Sequence, residues 1–389
     1  MEKNNYKMHA KTLFGLEEVL EKELMLLGAR NVQIGIRGVN FEGDKGFMYK
    51  ANLWLRTALR ILKPIKTFKV KNDEQLYKAI FAIAWEDILD EESTFAIDAT
   101  VNSDFFNHTQ YVALKSKDAI VDRFRKIGKN RPNVDTLHPN VRINIHINND
   151  SCTVSLDSSG ESLHKRSYKT EVNAAPINEV LAAGMILLSG WNGNSNFVDP
   201  MCGSGTILVE AAMIAQNIPA NIHRKEFGFE GWKDYDEELF DLIRDKSLDK
   251  ERGFYHKIIG YDIHFPTVSK ARINVKNALF DDLIDIQKGD FFDSEKPEGP
   301  TILIFNPPYG ERMEAKIPEL YGNIGDTLKK YYSGSEAWII TSDLNGLKHV
   351  GLRTSKKIKL FNGKLETRFV KYELYQGTKK VKKDNPTQD

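Results

Sequence analysis

The chain has 389 residues, 41% of them hydrophobic and 28% charged, with a formal net charge of +1 at pH 7. That length exceeds one compact core and predicts two or three domains. The near-neutral balance excludes a polycation and leaves any nucleic-acid binding to local patches. Two distant cysteines, Cys152 and Cys202, exclude a disulfide framework or a cysteine zinc site and fit a reducing cytoplasm.

Met1–Leu27 has no uninterrupted apolar run and does not read as a secretory signal. Gly15–Gly28 predicts an amphipathic helix with Val19, Leu20, Leu24 and Leu27 on one face. Val32–Ile34 and Val39–Phe41 alternate like strands, a second helix is expected near Met48–Leu62, and Pro64 reads as a break that opens a new segment. Beyond it come a strand at Thr94–Thr100, a helix at Ser116–Ile127, and a strand at Val141–Ile147 with Cys152–Leu156 as its hairpin partner. The apolar stretch Val180–Trp191 is too short to span a bilayer and predicts a buried helix.

After Ser167 the pattern changes. Phe197–Val198, Lys257–Tyr261, Ile284–Gln287, Thr301–Phe305 and Ala337–Ile340 are short apolar runs, each followed by a turn and a helix-compatible stretch, as in a doubly wound parallel sheet. Lys356–Phe361, Asn362-Gly363 and Leu365–Tyr375 read as a closing hairpin, and Lys379–Asp389, with its Lys379–Lys383 cluster, as a disordered solubilising tail. The expected division is therefore residues 1–65, 66–165, 166–378 and a tail at 379–389.

The run Phe197-Val-Asp199-Pro200-Met-Cys202-Gly203-Ser204-Gly205-Thr206 takes a strand through a glycine turn into a helix. Gly203 and Gly205 let a ligand approach the backbone, and the helix start offers unpaired N–H donors. The spacing is not that of a dinucleotide fingerprint, since the next candidate acid, Asp262, lies far downstream. Asp199 instead suits a ligand bearing an ammonium group, such as S-adenosylmethionine, and the run resembles motif I of class I methyltransferases. Asp262, ending the next strand, can accept the ribose hydroxyls of a nucleoside. Asp290 can accept from an adenine amino group; either Asp could instead cap a helix, the better reading for Asp290 taken alone, and their repetition at strand ends favours the nucleoside site.

Thr301–Phe305 ends abruptly in Asn306-Pro307-Pro308-Tyr309. An exocyclic amine on an aromatic base is a poor nucleophile because its lone pair is delocalised. The Asn306 side-chain oxygen and the Pro307 carbonyl can accept its N–H bonds and stabilise the positive charge that grows during attack on a methylsulfonium. Pro307 and Pro308 stiffen the loop, and Tyr309 offers a face for stacking an extruded base. The nine histidines are dispersed and no metal site is expected.

On these residues the chain resembles the THUMP-domain guanine-N2 methyltransferases of large-subunit ribosomal RNA, the methyltransferase L branch, some of which are labelled N6-adenine DNA methylases. The likeness runs from about Lys7 to Gln376 and rests also on Leu163–Tyr168, Ala174–Ala183, Phe227-Gly-Phe-Glu-Gly-Trp232, Gly260-Tyr-Asp262, Asn306–Arg312 and Asn362–Glu366. It implies a Rossmann-like α/β methyltransferase domain with a seven-stranded, mostly parallel sheet, preceded by α+β ferredoxin-like and THUMP domains. By the same likeness S-adenosylmethionine is the cofactor, bound by Asp199, Gly203, Gly205, Asp262 and Asp290, with Pro200, Cys202, Ser204, Thr206 and Asn306 around it. Asn306–Tyr309 form the catalytic loop, and Asn217–Tyr255 is a segment the family shares. Some members carry a second methyltransferase domain; this chain ends before one could begin, so a dual activity is not expected.

Lys115, Lys117, Arg123, Arg125, Lys126, Lys129 and Arg131, against Asp118 and Asp122, form a patch able to neutralise phosphates. On charge alone a solvated helix face is the better fit, and the THUMP likeness reverses that preference toward RNA. Phe105, Phe106 and Tyr111 are either base-stacking or core aromatics. The implied protein acts in the cytoplasm on RNA, large-subunit rRNA first, with no membrane and no obligate protein partner. Adenine N6 in DNA and guanine N2 in tRNA make the same demand on the loop. A non-catalytic ribosome-assembly factor would be expected to show a degenerate loop, and a nucleotide oxidoreductase fails on glycine spacing. Glu311 is a candidate acceptor for guanine N1–H.

Overall fold

The computed structural model describes residues 5–172, 176–308 and 317–375. They form two compact units, the first from Met1–Lys169, Asn178–Gly184 and Gln216–Gly253, the second from Thr170–Ile177, Met185–Ala215 and Phe254–Asp389.

The first unit is built on one sheet. Its strands are β1 (Tyr6–Lys11), β2 (Arg30–Gly35), β3 (Gly38–Gly43), β4 (Arg60–Lys69), β5 (Thr94–Asn102), β6 (Asn133–Val134), β7 (Val141–Asn148) and β8 (Ser151–Asp157). They lie in the order β2-β3-β1-β4-β8-β7-β5-β6. Helices α1 (Glu17–Leu27), α2 (Lys45–Trp54), α3 (Asp73–Phe81) and α4 (Thr109–Lys126) accompany it. β1 shows the period-two logic: Met8 and Ala10 are buried in the core, while Lys7, His9 and Lys11 stand on the other face.

Two expectations fail in this unit. The helix placed at Met48–Leu62 stops at Trp54, and Arg60–Leu62 instead open β4, where they pair with Lys11, Ala10 and His9. Pro64 does not break the segment. It sits inside β4 beside a register shift between Pro64 and Lys66, where a missing N–H is tolerated. β4 thus pairs with β1 along its first residues and with β8 to its end, so the boundary expected at residue 65 falls inside a strand. The regions expected at residues 1–65 and 66–165 share one sheet.

The chain next forms α5 (Glu179–Ser189) and α6 (Thr206–Ala215), then residues 216–253 with α7 (Glu237–Leu248). α5 is buried as its apolar sequence predicts, with Val180, Leu181, Ala182, Ala183, Met185 and Ile186 all fully covered. Residues 216–253 group with the first unit rather than with the expected 166–378 domain, and the reason is aromatic. Phe229 stacks on Tyr49 at 4.2 Å between ring centroids and on Phe227 at 5.3 Å, while Trp54 donates from its indole nitrogen to Ser247 at 2.8 Å. The glycines of the Phe227–Trp232 run permit this packing: a Cβ on Gly231 would lie 2.3 Å from the Asn140 carbonyl oxygen, and one on Gly228 2.6 Å from that of Asp157. Gly231→Ala is expected to destabilise the first unit by about 1–3 kcal/mol through overpacking against backbone that cannot yield. A shifted urea midpoint at unchanged slope would register it; an unchanged midpoint would show that the Phe227–Trp232 run is loosely held.

The second unit holds β9 (Asn196–Asp199), β10 (Ile258–Asp262), β11 (Ile284–Lys288), β12 (Thr301–Phe305), β13 (Glu336–Thr341), β14 (Thr354–Asn362) and β15 (Leu365–Glu373), with α8 (Phe265–Asn277) and α9 (Ile317–Tyr331). The order is β11-β10-β9-β12-β13-β15-β14, with the first five strands parallel and β15 antiparallel to both neighbours. This is the Rossmann-like, seven-stranded, mostly parallel sheet expected from the sequence. The chain closes with the anticipated hairpin, Asn362 opposite Leu365 and Gly363 at φ 63°. Strand order reverses between β9 and β12, so a crevice opens at their carboxyl ends, where ligands bind in such sheets.

Candidate active site

Sheet register sets the site residues at this crevice. Asp199 pairs with Gly260, so Asp262 stands two residues farther along β10. Asp262 pairs with Lys288, and Asp290 stands two residues beyond that on the β11 side. On the other flank Val198 pairs with Leu303, which carries Asn306 past the level of Asp199. One cavity of about 500 Å³ is lined by Asp199, Pro200, Cys202, Gly203, Ser204, Thr206, Asp262, Asp290, Asn306, Pro307 and Pro308. Twelve residues were proposed from the sequence as cofactor-binding or catalytic among those described, and Gly205 alone does not line it. Its part is the turn: φ is 82°, and its N–H donates to the Cys202 carbonyl at 2.9 Å. Tyr309 and Glu311 lie outside the described residues.

Asp199 dominates the electrostatics. It is 1% exposed, and burial pushes its carboxyl up to about 8, with the nearby Asp262 charge adding to the rise and a 3.2 Å bond from the Met201 N–H opposing it. Thr206, at the start of α6, buries a hydroxyl that has no hydrogen-bond partner among the described residues. A buried carboxylate and an orphaned hydroxyl beside a helix start fit the ammonium and carboxylate ends of an amino-acid ligand. Asp262 is half-buried and accepts from the His264 N–H at 2.9 Å. Asp290 is exposed and accepts from the Phe292 N–H at 3.0 Å, so it caps a short turn while also lining the cavity. The cap raised for Asp290 is therefore present, and its place in the lining is compatible with the binding role.

Sequence reasoning missed the apolar wall. Ile177, Met201, Ile207, Ile263, Phe292 and Leu320 line the same cavity. Only Ile263 and Phe292 carried a local signal, being apolar residues one and two positions after an acid at a strand end. Among the described residues no group of three or more His, Cys, Asp or Glu is placed to hold a metal ion, and no helix is long and apolar enough to cross a membrane.

The basic patch of the first unit is partly spoken for. Arg123 forms a two-pronged ion pair with Glu86, Arg125 pairs with Asp122 at 3.0 Å, and Lys117 with Asp118 at 2.8 Å. Lys115 stands over the Tyr77 ring at 5.2 Å and Lys126 over Phe81 at 5.3 Å. Lys129 and Arg131, beyond the end of α4, are exposed. Phe106 is buried core, whereas Phe105 and Tyr111 are each 49% exposed and the Tyr111 hydroxyl donates to Asp73.

Known proteins match both units. Residues 7–62 match the RlmL ferredoxin-like domain, residues 70–157 the THUMP domain, and residues 166–371 the RMKL-like methyltransferase domain. The ribosomal RNA large subunit methyltransferase K/L of Shewanella frigidimarina is 38% identical over 369 residues, covering 93% of this chain and 52% of that protein. The chain thus spans about half the length of such relatives. By contrast "Putative RNA methyltransferase slr0064" of Synechocystis sp. is 36% identical over 364 residues, covering 93% of this chain and 95% of that one. The crystal structure of SMU.472 complexed with SAH aligns at a TM-score of 0.86 with 30% identity, covering 97% of this chain and 100% of that one. TrmN from Thermus thermophilus shares the fold at a TM-score of 0.68 and 17% identity, covering 95% of this chain and 99% of that one. With matching domains along its length and a methyltransferase-type crevice in its second unit, the chain belongs to the RMKL-like, THUMP-containing methyltransferase family.

Proposed function

We propose that this protein transfers a methyl group from S-adenosylmethionine to the exocyclic N2 amine of a guanine in RNA, with large-subunit rRNA as the substrate, in the cytoplasm. The observation that carries this reading is Asn306-Pro307-Pro308 lining the same cavity as the buried Asp199. When bound, S-adenosylmethionine supplies an electrophilic methyl group. Asp199 meets an ammonium, Thr206 and the start of α6 meet a carboxylate, and Asp262 accepts ribose hydroxyls. Asp290 and the apolar wall around Phe292 take the adenine ring. The carboxamide oxygen of Asn306 and the carbonyl of Pro307 accept the two N–H bonds of the target amine and turn its lone pair toward the methyl group. They also stabilise the positive charge that develops on nitrogen, and the proton leaves to water afterwards. The cations of α4, together with the less encumbered Lys129 and Arg131 beyond its end, hold RNA phosphates.

The choice of polymer follows from the THUMP region and from relatives named for large-subunit rRNA; the loop itself would serve adenine N6 equally. The test is transfer of labelled methyl groups into large-subunit rRNA, small-subunit rRNA, tRNA and DNA, followed by digestion to nucleosides. N2-methylguanosine from large-subunit rRNA is the expected product. N6-methyladenine from DNA would move the protein to the other substrate class, and cofactor binding with no transfer to any polymer would favour an assembly factor.

A further inference from the structure

The eight-stranded sheet of the first unit has a face that the reading above leaves unused. A groove of about 790 Å³ runs across it, lined from β2, β3, β1, β4, β8, β7 and β5. Seven strands at sheet spacing span about 29 Å. The groove mixes apolar side chains, among them Ile36, Leu59, Leu62 and Pro64, with a polar set. Asn31, Gln33, Asn40 and Asn144 bring carboxamides, Thr67, Thr100, Thr153 and Ser155 bring hydroxyls, and His9 and His146 stand among them. Lys7, Lys11 and Arg37 line it against a single carboxylate, Glu42. Part of this carpet is already ordered: His9 Nδ1 bonds Asn40 Oδ1 at 2.8 Å, Lys11 donates to Asn144 Oδ1 at 3.4 Å, and the Thr67 and Thr153 hydroxyls meet at 3.1 Å.

Two contrasts with α4 matter. Lys7, Lys11 and Arg37 enter none of the ion pairs among the described residues, whereas three of the seven cations expected in the α4 patch are held by carboxylates. The groove also draws on strands of both the ferredoxin-like and the THUMP regions, so neither alone would form it.

We propose that this groove is a second RNA-binding surface, taking a single-stranded segment of the substrate by its sugar–phosphate backbone. Cations neutralise phosphates, and carboxamides and hydroxyls both donate to and accept from a 2′-hydroxyl, which separates RNA from DNA. Of the rings in the lining, Phe41 is 1% exposed, His9 and His146 are the others, and there is no Tyr or Trp, so the sugar–phosphate backbone rather than a stacking platform is the main contact. The proposal rests on RNA being the substrate.

The test uses the full chain, a single-stranded oligoribonucleotide of large-subunit rRNA sequence and its deoxy counterpart. The double variant Lys7→Gln with Arg37→Gln is expected to weaken RNA binding about tenfold and to reduce the slope of log affinity against log salt by about 1.4, two phosphate contacts' worth. Asn31→Ala with Gln33→Ala is expected to narrow the preference for RNA over DNA at little change in salt slope. S-adenosylmethionine binding, measured by calorimetry, should stay as in the parent protein and reports on folding. Sheet-face variants with unchanged RNA affinity, beside Lys129→Gln with Arg131→Gln that lose it, would overturn the proposal while leaving the RNA reading intact. A parent protein that binds no RNA would overturn both.

Discussion

Asn306→Ala is expected to lower the rate of methyl transfer by about 10²–10³-fold while leaving S-adenosylmethionine bound. Asn306 closes β12 at the crevice, and its carboxamide is the only side-chain acceptor that the Asn-Pro-Pro run of the described residues offers a target amine. Alanine removes that acceptor; it leaves Asp199, Thr206 and the glycine turn untouched. Because the lost bond strengthens as positive charge grows on nitrogen, the effect belongs in kcat more than in KM for RNA. Asn306→Asp keeps an acceptor in the same place and should fall between parent and alanine. Single-turnover rates at saturating RNA, with cofactor binding measured in parallel, decide the matter. An alanine variant that transfers methyl groups at the parental rate would remove Asn306 from the chemistry, and one that simply loses the cofactor would make it a binding residue.

The sequence carried the second unit well because parallel strands buried on both faces announce themselves as short apolar runs between turns. Asp199 was picked out for a similar reason: a carboxylate at the end of such a run, four residues ahead of Gly203, has few structural uses. The first unit was harder. Pro64 reads as a break by local chemistry, yet the bulge that accommodates it exists only because β8 pairs with β4 from Leu62 to Lys69. The partnership of residues 216–253 is equally non-local, since Phe229 finds its stacking partner in Tyr49 on α2, far upstream. The apolar wall of the cavity is scattered over several loops, so no window of sequence contains it. Charge counting along α4 could not foresee that Glu86, outside the helix, engages Arg123.

The buried carboxyl of Asp199 is expected to make cofactor binding depend on pH. Desolvation, and secondarily the Asp262 charge, raise it from 3.8 to about 8 in the ligand-free protein. An ammonium pairs with the carboxylate, so below about pH 8 binding must first expel a proton. Affinity for S-adenosylmethionine should therefore fall by about tenfold for each unit of pH below 8, and proton release should accompany binding. Above pH 8 the ligand's own ammonium begins to deprotonate, which places the optimum near that value. Stability of the ligand-free fold runs the other way. A carboxyl raised above its unfolded value contributes stability that is present below about pH 4 and is lost as pH rises through about 8. The thermal shift produced by cofactor should accordingly be larger at pH 8 than at pH 6. Asp199→Asn should flatten the affinity profile, weaken binding at pH 8, and leave the ligand-free protein at least as stable there as its parent, since it keeps the shape of the group and discards the buried charge. Calorimetric titration in buffers of different ionisation enthalpy measures the proton directly. Equal affinity at pH 6 and pH 8 with no proton released would mean that Asp199 is already ionised before the ligand arrives, held so by groups beyond those that surround it here.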